Sequence, residues 1–121
     1  MIDPVKRKAD YEKLRDDLLE VRTRIADIEA TADSPDGLVS ATVVGRGELS
    51  ELYLDPRIYR TTDSKALASS IMDTIRDAVG QSRRQLFEIT RQYLPSDAKF
   101  EKTDVHTDPF MYQLDKRIEA V

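Results

Sequence analysis

Gly37-Leu38-Val39-Ser40-Ala41-Thr42-Val43-Val44-Gly45-Arg46-Gly47-Glu48-Leu49-Ser50-Glu51-Leu52-Tyr53-Leu54-Asp55-Pro56 decides the fold of this 121-residue chain. From Leu38 to Val44 the residues alternate, so that Val39, Ala41 and Val43 share one face of a strand. Gly45-Arg46-Gly47-Glu48 reads as a tight turn, because glycine takes the positive φ values that short hairpins require. A second strand, about residues 49–54, puts Leu52 and Leu54 on one face and ends at Asp55-Pro56. The result is an antiparallel hairpin with one apolar and one more polar side. A lone hairpin is marginal in water, so this one needs helices or a matching hairpin from a second subunit to cover it.

Long helical patterns flank the hairpin. Asp3-Pro4 is an N-cap followed by proline at the first helical position, and the helix it opens is expected to run to about Thr31. Tyr11, Leu14, Leu18, Val21, Ile25 and Ile28 recur at intervals of three and four, a narrow seam of the coiled-coil kind. In a parallel pair of such helices Asp10 would face Arg15, Asp17 would face Arg22 and Arg24 would face Glu29, all of opposite sign. Ala32-Asp33-Ser34-Pro35-Asp36-Gly37 then breaks the helix. After the hairpin, Thr61-Thr62-Asp63-Ser64 supplies caps for a second helix from about Ser64 to Leu94. Its stripe is Met72, Ile75, Val79, Ser82, Leu86, Ile89 and Tyr93, widened by Ile71 and Ala78. Gly80 interrupts it at a cost of about 1 kcal/mol relative to alanine, through either a close backbone approach or simple tolerance.

The order of helix, glycine, alternating strand, Gly-x-Gly turn, strand ending in Asp-Pro, and long helix resembles the YbaB/EbfC family of small bacterial nucleoid-associated proteins. The resemblance covers roughly residues 1–94 and is most specific in the hairpin. It implies an α+β fold of long helix, antiparallel hairpin or small sheet and long helix, assembled as a homodimer that binds double-stranded DNA. Residues 95–121 lie outside that pattern. There Asp108-Pro109 starts a short amphipathic helix carrying Phe110, Met111, Leu114 and Ile118, which either folds back on Phe87 and Leu94 or docks on another protein.

Composition narrows the function. The charged fraction of 35% and mean hydropathy of -0.53 predict a soluble chain with no membrane span. The charged start, without an apolar leader, makes the cytoplasm, and within it the nucleoid, the expected location. No cysteine is present, which excludes disulfides and thiolate chemistry. Asp104-x-His106-x-Asp108 is a weak metal pattern, better read as a solvated loop. No phosphate loop, serine-nucleophile motif or triad is visible, so the reading is a non-enzyme without metal or cofactor.

The net charge of -4 sets the central difficulty, since DNA affinity rests on Lys and Arg displacing counterions. Only the second helical segment is net basic, with Lys65, Arg76, Arg83, Arg84 and Arg91 against Asp73, Asp77 and Glu88. Candidate DNA contacts are therefore Arg76, Arg83, Arg84 and Arg91, joined by Lys6, Arg7 and Lys8 at the tip of the first helix. With no recognition-helix signature, binding is expected to be weakly sequence-specific. The candidate dimer interface comprises Val39, Val43, Leu52 and Leu54 of the hairpin and Leu14, Leu18 and Val21 of the seam. The alternative reading is a protein-interaction scaffold of the same fold, in which an acidic tail lying over Arg76 and Arg83 would neutralise the DNA surface.

Overall fold

The computed structural model describes residues 3–104 and 108–119. Asp3 caps the first helix, its carboxylate accepting from the Val5 amide at 2.9 Å, and α1 runs Pro4–Ala26. Three antiparallel strands follow, β1 (Glu29–Asp33), β2 (Val39–Val44) and β3 (Glu48–Leu54), with β2 in the centre. A 3₁₀ turn at Pro56–Arg60 leads to α2 (Ser64–Thr90), capped by Asp63 through the Ala66 amide. Short 3₁₀ turns at Arg91–Tyr93 and Phe100–Lys102 precede α3 (Asp108–Glu119).

This is the expected α+β order, with one element more than the sequence reading supplied. The first helix stops five residues before Thr31, and Glu29–Asp33 pairs with β2 from Glu29 opposite Val44 to Asp33 opposite Ser40. Glu and Ala favour helix, but here tertiary packing overrides that weak preference. Ala30 and Ala32 point inward with Ala41 and Val43, and Ala78 of α2 lies against them, all nearly or fully buried. Small side chains at this layer let the helix lie close to the sheet. Ile28 is no longer a seam residue: it sits in the turn after α1 and is buried with Val21, Leu86 and Ile89. Glu29 leaves the helix as well, which removes the expected Arg24–Glu29 pair.

The hairpin carries a bulge. Thr42 pairs with Glu51 and Val43 with Leu49, leaving Ser50 as the extra residue, and its hydroxyl donates to the Thr42 carbonyl at 3.2 Å. The bulge is why Leu49, three residues before Leu52, returns to the same face as Leu52 and Leu54. Gly45 (φ 58°) and Gly47 (φ 110°) take the turn conformations that disfavour a side chain.

Helix α2 covers β1 and β2 but not β3. Val43, expected at a subunit interface, is therefore buried under the chain's own helix; Val39, expected there too, is buried within the protomer, and Val21 is buried in the second core cluster. These three belong to the protomer core. Leu52 and Leu54 share the inner face of the sheet by register, yet Leu52 is 40% exposed and Leu54 half-buried because nothing lies above them.

Gly80 has an ordinary helical backbone, and a Cβ placed on it would meet nothing within 4 Å. No close approach within the protomer demands glycine. Gly80→Ala is expected to raise stability by about 1 kcal/mol, on the order of a few degrees in Tm, measured by thermal melting followed by circular dichroism.

Candidate nucleic-acid interface

Every turn of α2 that buries a residue on the sheet presents others on the opposite side. Thr74, Ala78 and Ser82 face inward and Arg76, Arg83 and Arg84 are exposed, with Arg76 and Arg84 flanking a groove against β1 that Asp33 and Asp77 also line. With a rise of 1.5 Å per residue, Arg76 and Arg84 lie about 12 Å apart along the helix. Arg91 follows at the helix end.

Their surroundings differ. Arg76 lies 3.6 Å from Asp73, and Arg91 lies 3.2 Å from Glu88 with its guanidinium over the Phe87 ring. Both ion pairs are exposed and weakly held, so a phosphate can compete for the cations. Arg83 and Arg84 form no ion pair among the described residues. Arg84 instead lies over the Phe100 ring, 4.6 Å from its centroid.

Lys6, Arg7 and Lys8 sit at the free end of α1. Lys8 is 4.0 Å from Glu12 and Arg7 lies over the Tyr11 ring. The two helices meet through Val21, Ile25 and Ile28 against Leu86, Phe87 and Ile89, and Lys8 is about 20 Å along α1 from Val21. Burial, with Asp17 and Glu20 nearby, raises the pKa of the Tyr93 phenol, which places the middle of α1 beside the end of α2. The two basic clusters are consequently separate features within one chain.

Among the described residues, the C-terminal segment does not lie over Arg76 and Arg83. It returns through Ala98 and Phe100 onto the cluster containing Phe87 and Leu94, and among the described residues neither Asp97 nor Glu101 forms an ion pair. Helix α3 stands across a groove from α1, lined by Leu14, Leu18, Tyr93, Phe110 and Leu114. Leu18, Phe110 and Leu114 remain exposed there, and Leu14 is half-buried. The His106 pattern lies outside the described residues. The stacking of Arg84 on Phe100 has no local signal in the sequence, since fifteen residues intervene.

Residues 6–96 match the YbaB/EbfC DNA-binding family. The chain belongs to that family. It is 32% identical over 75 residues to a nucleoid-associated protein of Cutibacterium acnes, covering 62% of this chain and 70% of that one. A nucleoid-associated protein of Thermobifida fusca is 27% identical over 81 residues, 67% of this chain and 70% of the relative. The crystal structure of an uncharacterized protein from Helicobacter pylori has the same fold, with a TM-score of 0.62 at 18% identity over 76% of this chain and 97% of that one. The family is one of nucleoid-associated DNA-binding proteins and not of enzymes. Among the described residues, no helix is long and apolar enough to cross a membrane.

Proposed function

We propose that this member of the YbaB/EbfC family is a non-enzymatic homodimer that binds double-stranded DNA with little sequence preference, in the nucleoid of a bacterial cytoplasm. The observation that carries the reading is the arginine face of α2. It is the basic side of an otherwise acidic chain, it is exposed, and the described part of the acidic tail leaves Arg76 and Arg83 uncovered. Its contacts would be to phosphates, with Lys6, Arg7 and Lys8 a second, outlying set. Two unrelated random-sequence duplexes of equal length should compete for the protein within about threefold of each other. A preference of a hundredfold or more would contradict backbone recognition.

The homodimer rests on β3. An edge strand of seven residues that exposes Leu49, Leu52 and Tyr53 is an unprotected pairing surface, and a second copy is the simplest cover. Leu54 would extend that interface, whereas Leu14 and Leu18, expected in it from the sequence, face the groove toward α3. Leu52→Asp should halve the mass measured by sedimentation while leaving the helical spectrum intact, because Leu52 is uncovered in the protomer. A wild-type monomer at micromolar concentration would end this reading.

One observation favours a second role. Exposed apolar residues on both α1 and α3 face one groove, a surface for a helical segment of a partner protein. A chain that bound a protein there and failed to bind duplex would be the scaffold of the same fold.

A further inference from the structure

Arg84 is the α2 arginine whose surroundings the family pattern does not supply. Glu88 lies one turn further along the helix, and Asp77 and Asp33 line the same groove as Arg84, but among the described residues Arg84 forms an ion pair with none of them. Glu88 is already occupied, both of its carboxylate oxygens accepting from Arg91 at 3.2 Å. The partner Arg84 takes is the Phe100 ring. That ring is itself held edge-on against Phe87, with centroids 5.8 Å apart and planes at 73°, and Phe87 is buried. Phe100 lies beyond residue 96, where the family match ends.

A guanidinium lying over a ring keeps its charge and its N–H edge, whereas one paired with a carboxylate is neutralised. The extension's own cations do not add to the arginine face in the same way. Lys99 and Lys102 line a different groove together with Asp97, Asp108 and Asp115.

We propose that Phe100 is a positioning residue for DNA binding, holding Arg84 as an unneutralised, preoriented cation for a phosphate of duplex DNA. The inference rests on the DNA-binding reading above and deepens it, making the C-terminal segment a working part of the interface.

The test is a double-mutant cycle on the full chain, read by fluorescence anisotropy with a random-sequence duplex. Phe100→Leu fills most of the space against Phe87 but removes the ring face, and it should weaken binding about three- to tenfold. In an Arg84→Ala background the same change should have no further effect, and Phe100→Tyr should restore wild-type affinity. Equal losses from Phe100→Leu in both backgrounds would show a merely structural role and overturn the proposal. A second readout does not depend on DNA or on the stability of any variant. The Arg84 side-chain protons of the wild type should be shifted upfield by the ring current, and unshifted protons would overturn the proposal. If the wild type binds duplex and Phe100→Leu binds equally well, this inference fails while the DNA-binding reading stands. If the wild type binds no duplex, both fail.

Discussion

Val43→Asp is expected to leave the chain unfolded at room temperature. Val43 is fully buried between β1, β3 and α2, and packs with Ala30, Ala32, Ala41 and Ala78, none of which offers a hydrogen-bond partner or a counter-charge. An unpaired carboxylate there costs several kcal/mol, against a total stability of about 5–15 kcal/mol for a domain of this size. Loss of the helical circular-dichroism signal and of cooperative melting is the expected result. The contrast with Leu52→Asp is the informative part. Both residues lie on the inner face of adjacent strands, yet α2 covers one and leaves the other open, so the first substitution should destroy the protomer and the second should only separate subunits. A folded Val43→Asp variant with an unchanged melting temperature would show that the α2–sheet layer is wrongly placed.

Changing Arg76, Arg83 and Arg84 together to Glu should abolish duplex binding, with a loss of at least a hundredfold at low salt. All three side chains are exposed, Arg76 and Arg84 along the groove between α2 and β1, so folding and subunit mass should stay as in the wild type. In a dimer the substitution removes six cations and adds six anions to the face that approaches the phosphates. Reversing Lys6, Arg7 and Lys8 should cost less, because these residues sit at the separate free end of α1. Anisotropy titrations of the three proteins side by side measure the difference. Unchanged binding by the α2 variant would move the interface elsewhere.

Both long helices and the hairpin were legible because each announces itself locally. Asp3-Pro4 and the Asp63 cap mark helix starts, Gly45 and Gly47 mark the turn, and the spacing of three and four marks α2, although Met72 of that stripe is exposed and Thr74 is buried instead. Strand β1 was not, because the three-and-four spacing of α1 runs on to Ile28 and because Glu, Ala and Asp are poor strand formers. The alternation of Ala30 and Ala32 with Glu29, Thr31 and Asp33 was the available signal. What makes it a strand is the neighbouring β2 and the overlying Ala78, which no local pattern contains. The allocation of Val39 and Val43 to the protomer core, and of Leu52 to its surface, likewise depends on where α2 crosses the sheet. For the candidate site, the arginines of α2 could be read from sequence as one exposed face. Their individual states could not, since Arg76 and Arg91 are set by carboxylates one turn away and Arg84 by a ring from a distant segment.

Binding of DNA by an acidic protein through a concentrated basic face is open to a single decisive titration. Wild-type protein is titrated into a labelled random-sequence duplex at about 50 mM and about 200 mM salt. Neutralisation of six or more phosphates by a dimer predicts clear binding at the lower concentration and an affinity roughly a thousandfold weaker at the higher one. No change in anisotropy at 50 mM salt with micromolar protein, or an affinity indifferent to salt, would contradict it.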